Sequence, residues 1–135
     1  MTKIKTEKMK KGKYNIFRLE VKGHADKIND GEGNILCAAI SMIVQTFAAW
    51  ALQMQKSAER IYNTEYIPGD GKAEICFAWL DLTESNIIVD AKARTGIEML
   101  MTGLEMLAEK YPDHISYDGG VYAKQKGYID CDARE

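Results

Sequence analysis

The stretch from about Ile35 to about Arg60 most constrains how this chain can fold, because its apolar residues recur at helical spacing. A helix with a single apolar stripe must bury that stripe against another element. Asn34 is the predicted N-cap, since its side-chain oxygen can accept a hydrogen bond from a first-turn N–H group. The predicted stripe consists of Leu36, Ile40, Ile43, Phe47, Trp50 (or Ala51) and Met54.

The flanking segments predict a sheet for this helix to pack on. Residues 14–22 alternate apolar and polar side chains, as a half-buried strand does. Residues 73–82 are apolar on both faces, which indicates a central strand, and the turn 68–71 precedes them. A second helix is expected from somewhere in 86–93 to Lys110, and a last strand within 114–123. We therefore predict an α+β fold, a single antiparallel or mixed sheet with two long helices packed on it.

Charge and composition narrow the domain organisation and the class of partner. Residues 1–13 form a flexible basic N-terminus in this interpretation, 14–125 the folded domain, and 126–135 a polar C-terminal tail. A net charge of −2 argues against general nucleic-acid binding, although the N-terminal lysines leave RNA contact as an alternative. The three cysteines show neither disulfide nor zinc spacing, which favours a reducing cytoplasm and no metal. We expect no secretory signal and no membrane-spanning segment.

Two short motifs place a base and a nucleophile on neighbouring elements. Gly23-His24-Ala25 ends the first predicted strand, and Cys37-Ala38-Ala39-Ile40-Ser41 opens the long helix. A thiol in the first turn lies near unpaired N–H groups and the positive end of the helix dipole, which favour the thiolate. An imidazole nearby would complete a Cys/His nucleophile pair. The intervening residues 25–34 are predicted to form a lid loop, with Asp26, Asp30, Gly31 and Gly33 among its turn-forming residues.

These motifs resemble the ribosomal-processing cysteine protease family, called Prp. The segment from Gly103 to Pro112 also resembles the family's Gly-Leu-…-Ala-…-Tyr-Pro pattern, so the resemblance covers about residues 14–115. It implies an endopeptidase that removes a short N-terminal extension from a large-subunit ribosomal protein, with His24 and Cys37 as the catalytic dyad. It also implies a homodimer with no metal and no organic cofactor. Divergent phage members make a related phage protein an alternative substrate.

Supporting roles are expected beside this dyad. The first-turn amides near Cys37 and Ala38 would stabilise the oxyanion, and Ser41 would hydrogen-bond the sulfur or a helix carbonyl. The family commonly has an aspartate where this chain has Asn34, and Asp26, Asp30 or Glu32 could substitute for it. The same departure motivates an alternative function, a catalytically inactive dimeric binding protein on this scaffold.

Overall fold

The structure is a computed structural model that describes residues 1–23, 31–69, 71–81 and 87–118, and of residues 31–34 it describes the backbone alone. Five strands and two long helices make up these residues. In chain order they are β1 (Thr2–Lys11), β2 (Tyr14–Lys22), α1 (Gly31–Ser57), β3 (Tyr62–Ile67), β4 (Lys72–Leu80), α2 (Ile87–Lys110) and β5 (Ile115–Asp118).

The strands form a single mixed sheet in the order β3-β4-β2-β1-β5. All neighbouring pairs are antiparallel except β1 and β5, which run parallel. The predicted α+β class is thereby confirmed. Strand β2 has its predicted bounds, β4 is an internal strand as expected, and β3 was not predicted.

One face of the sheet carries the core, and both helices pack on that face. The inward positions of β2 and β4 alternate with outward ones, as the pleat of a strand requires. The core combines these strand residues with the buried stripes of the helices. Its largest fully buried side chains are Trp79, Phe17, Phe77, Ile4, Leu19, Leu36, Ile75, Ile97 and Leu104.

The N-terminal segment is a strand and not the loosely held end that we expected. Residues Thr2–Lys11 form β1, which lies between β2 and β5 inside the sheet. Its inward residues Thr2, Ile4 and Thr6 are all buried. The lysines suggested a solvated end, but Lys3 and Lys5 alternate with these buried residues and point to the open face of the sheet. The predicted tail 126–135 lies outside the described residues.

The Ile35–Ser57 part of α1 is long and apolar enough to cross a membrane, judged by length and composition alone. We expected no such stretch, so this expectation is corrected. The same test is passed by core helices that pack within a folded protein, and α1 supplies Leu36, Phe47 and Ala51 to the core. The finding is therefore weak evidence for a membrane.

The two helices approach closely because a glycine on α2 faces a tryptophan on α1. A Cβ atom added at Gly96 would lie 2.3 Å from the Trp50 ring, whereas one at Gly103 would lie 3.5 Å from Ile43, an ordinary contact. We expect Gly96→Ala to lower the free energy of unfolding by about 1–3 kcal/mol through overpacking. Gly103→Ala is expected to raise it by up to about 1 kcal/mol through helix propensity. Urea denaturation of both variants tests this; equal effects would contradict the packing described.

Alkaline pH should destabilise the protein through Tyr117 of β5. Burial is the main cause that raises the pKa of Tyr117 from 10.0 to about 12, and the negative charges of Glu105 and Asp118 add to it. The neutral phenol is therefore favoured in the folded state, and its contribution is complete below pH 10 and lost as the pH rises through 12. As the pH is raised from 10 to 12, we expect the denaturant concentration at the unfolding midpoint to decrease. The decrease should be smaller in Tyr117→Phe. An identical pH profile in the variant would rule out this contribution.

Candidate active site

A groove of about 320 Å³ lies between the N-terminal half of α1 and the ends of the central strands. Helix α1 presents Cys37, Ser41 and Gln45 to it. The opposite wall comes from the ends of the four strands β1 to β4 and from the β3–β4 connection, and includes Tyr66 and Lys72. The groove is large enough for a few side chains of a peptide and contains a candidate nucleophile.

Cys37 is half-buried and packs against the core at the groove. Its position in the helix differs from the predicted one, because α1 begins at Gly31 and Cys37 therefore lies in the second turn. Asn34 is inside the helix and is not its N-cap. The predicted oxyanion donors are also wrong, since N–H groups beyond the first four residues of a helix bond within it. The amides of Cys37 and Ala38 are consequently engaged.

Helix α1 begins earlier than predicted, since residues 31–34 are helical although two of them are glycines. The sequence Gly-Glu-Gly-Asn suggested a loop, since glycine disfavours helices by about 1 kcal/mol per residue. Gly31 and Gly33 thus belong to α1 and not to a lid. The remaining residues of the predicted lid, including Asp26 and Asp30, lie outside the described residues, as does His24.

Gly23, the residue before His24, lies at the rim of the groove. Its N–H group donates a hydrogen bond of 2.8 Å to the Gly71 carbonyl. Its φ of +87° suits glycine, and an added Cβ atom would lie 2.6 Å from the Met1 carbonyl oxygen. The end of β2 is thereby fixed against both neighbouring strands, and the chain leaves β2 for His24 from this point.

Ser41 lies one turn after Cys37 and lines the same groove, as the spacing predicts. The Gln45 side-chain amide donates a 2.8 Å hydrogen bond to the Ser41 hydroxyl oxygen. The Ser41 proton is then available to another acceptor on this face of the helix. Sequence reasoning missed Gln45, although its i+4 spacing from Ser41 could have indicated it.

The second described cysteine, Cys76, lies on the outer face of β4, away from the groove. It is half-buried, and burial raises the pKa of its thiol, an effect that Arg18 opposes and Glu65 reinforces. Cys76 is not part of the core, since its neighbours Ile75 and Phe77 are the residues that point inward. Within the described parts of the chain, no three His, Cys, Asp or Glu side chains cluster as a metal site would require.

Comparisons with known proteins agree with the fold and name a family. A family model described as Cysteine protease Prp matches residues 1–116. A crystal structure of SMU.848 from Streptococcus mutans is 21% identical, with a TM-score of 0.55, over 87% of this chain and 92% of that one. No curated protein matches significantly.

Two further crystal structures show an essential ribosomal processing protease Prp from S. aureus, one with a substrate peptide and one with a covalently linked product peptide. Each is 16% identical over 87% of this chain and 98% of that one, with TM-scores of 0.60 and 0.59 respectively. At these identities the similarity supports the fold.

Proposed function

We propose a mechanism for this chain, which belongs to the cysteine protease Prp family and is a cysteine protease. In this proposal Cys37 is the nucleophile and His24 the general acid and base. The observation that carries it is the position of Cys37, a half-buried thiol at the wall of a groove that can hold a peptide. His24 follows Gly23, another residue of the same groove, directly in the chain.

The reaction is acyl transfer in two steps. The Cys37 thiolate attacks the scissile carbonyl carbon, and the protonated His24 imidazole gives its proton to the leaving amine as the C–N bond breaks. A thioester then joins Cys37 to the carbonyl carbon at the new C-terminus of the N-terminal fragment, and the C-terminal fragment leaves as the amine. His24 then takes a proton from water, and the hydroxide displaces the thiolate to release the carboxylate product. In this scheme, the Ser41 hydroxyl donates a hydrogen bond to the Cys37 sulfur, while its own oxygen accepts one from the Gln45 amide.

The substrate that we propose is a protein with a short N-terminal extension. The S. aureus structures are of a ribosomal processing protease with its peptides, and this chain has their fold. We propose a large-subunit ribosomal protein, or a related phage protein, as the natural substrate. Incubation of both candidate precursors with the enzyme, followed by intact-mass spectrometry, tests this. Removal of one discrete N-terminal segment is expected, and unchanged masses for both precursors would contradict the proposal.

We further propose that the enzyme acts in the cytoplasm as a homodimer. An apolar groove of about 340 Å³ lies on the outer side of the helices, between Met42 and Trp50 of α1 and Met99 of α2. Met42 is 65% exposed and Met99 is 73% exposed. Exposed apolar patches of this kind favour association, and a second copy of the chain would cover this one.

Met99→Glu is expected to convert the dimer to monomer, because a carboxylate would be buried without a partner in the interface. Met106→Glu is the matched control, since Met106 is a similarly exposed methionine of α2 that does not line the apolar groove. Light scattering coupled to gel filtration measures both masses. A monomeric wild type, or equal dissociation by both variants, would refute this interface.

A further inference from the structure

We propose that three lysines beside the groove bind acidic side chains of the peptide substrate. Lys3, Lys22 and Lys72 lie on β1, β2 and β4, and we call them the lysine row. This inference rests on the proposed function and specifies it. Substrates with Asp or Glu next to the scissile segment would be preferred over neutral ones.

The strand register aligns the three lysines. Lys3 pairs with Lys22, and Lys22 pairs with Lys72. All three are exposed on the outer face of the sheet, since their neighbours Thr2 and Val21 point into the core face. Adjacent strands lie about 4.8 Å apart, so the row spans about 10 Å. It forms a short, continuous positive strip.

The alignment of three lysines opposes folding, so we assign it a functional reason. Like charges directly opposite each other on neighbouring strands repel. We call a row of residues paired across the strands a rung, and an exposed rung accepts neutral polar residues equally well. The adjacent rung pairs Lys5 with Glu20 and Glu20 with Glu74. Lys5 also pairs with Asp118 of β5, so the two rungs together hold four lysines against three carboxylates, which leaves a net charge of +1.

The glutamates hold two of the lysines only weakly. The Nζ atom of Lys22 lies 3.5 Å from Oε2 of Glu20, and the Nζ atom of Lys72 lies 3.1 Å from Oε2 of Glu74. The side chains of these lysines are more than half exposed. Exposed ion pairs contribute little to stability, so a peptide carboxylate can compete with Glu20 and Glu74 for the ammonium groups.

The lysine row is continuous with the groove. Lys72 itself lines the groove, and so do the glycines beside the row, Gly23 and Gly71. The backbone hydrogen bond between these glycines joins the ends of β2 and β4. Neither glycine has a side chain, so these two described residues present only backbone at this corner. An extended peptide that passes Cys37 can therefore continue across the corner to the row, where its alternate side chains, spaced by about 7 Å, meet the lysines.

The experiment compares two peptides that share the cleaved segment and carry either Asp or Asn at the flanking positions. The test variant is Lys22→Glu/Lys72→Glu. The control is Lys11→Glu/Lys13→Glu, which changes the net charge equally at the other end of the sheet. For the wild type we expect kcat/KM to favour the Asp peptide by about tenfold at low salt, and the preference to approach one as salt screens the charges. The test variant should lose or invert this preference and the control should keep it.

Binding to the Cys37→Ala protein, measured by fluorescence anisotropy, separates this inference from the proposed function. If the wild type cuts neither peptide but Cys37→Ala prefers the Asp peptide and loses the preference with Lys22→Glu/Lys72→Glu, the row stands and the proposed cleavage fails. Equal affinity for both peptides would overturn the lysine row, and so would equal effects of test and control variants. Tight binding of a single-stranded RNA oligonucleotide that only the test variant loses, without any peptide preference, would also overturn it.

Discussion

Replacing Cys37 with alanine is expected to abolish peptide cleavage, lowering kcat by about 1,000-fold or more. The proposed mechanism has no other nucleophile, because the covalent thioester cannot form without the sulfur. The fold should persist, since Cys37 is only half-buried and its loss removes a single heavy atom from the edge of the core. We expect its cost in unfolding free energy to be about 1 kcal/mol. A continuous assay on a cleavable peptide measures the loss.

Cys76→Ala provides the matched control for this prediction. Cys76 is also half-buried but lies on the outer face of β4, away from the groove. Its replacement should leave kcat/KM close to the wild-type value. Substantial cleavage by Cys37→Ala, or comparable losses in both variants, would show that the nucleophile lies elsewhere.

Phe77→Ala is expected to lower the free energy of unfolding by about 3–5 kcal/mol, a large part of the stability of a small domain. Phe77 is fully buried at the centre of β4. Its ring lies 5.4 Å from that of Trp50 and 5.7 Å from that of Trp79, measured between centroids. It also contacts the rings of Phe47 and Tyr62. The substitution would therefore leave a cavity between the sheet and α1, the helix that carries Cys37.

Urea denaturation measures this cost, with Phe77→Leu and Met106→Ala for comparison. The leucine retains most of the buried volume, so a smaller loss is expected. Met106 is exposed on α2, and its replacement should change stability by no more than about 0.5 kcal/mol. A loss below about 1 kcal/mol for Phe77→Ala would contradict the central place of this side chain in the core.

Much of the fold could be predicted, because β2 carries its alternating pattern over its whole length and α2 carries a helical pattern from about Ala93 onwards. Strand β1 was missed for a physical reason. One of its two neighbours in the sheet, β5, lies more than 100 residues further along the chain, so the pairing leaves no local signal. In addition, the inward Thr2 and Thr6 are too polar to suggest a core strand. The early start of α1 was missed because its two glycines oppose helix formation locally.

The candidate site was predictable on its helical side and at Gly23, the end of β2. Cys37 and Ser41 share a short motif at helical spacing, so one face of the groove could be inferred from the sequence. The opposite wall depends on where β3 and β4 lie relative to α1. Tyr66 and Lys72 carry no local signal of this arrangement, because it arises from strand pairing. The role of His24 as base stays a prediction.

The most direct test of the account is the alkylation rate of each cysteine as a function of pH, resolved by peptide mass spectrometry, in the wild type and in His24→Ala. Cys37 is expected to react well below pH 8, and this activation should fall when His24 is removed. Cys76 serves as an internal reference, since burial raises the pKa of its thiol and should delay its reaction to higher pH. If Cys37 reacts like an ordinary thiol in both proteins, the proposed dyad is contradicted, and an inactive binding protein on the same scaffold becomes the better description.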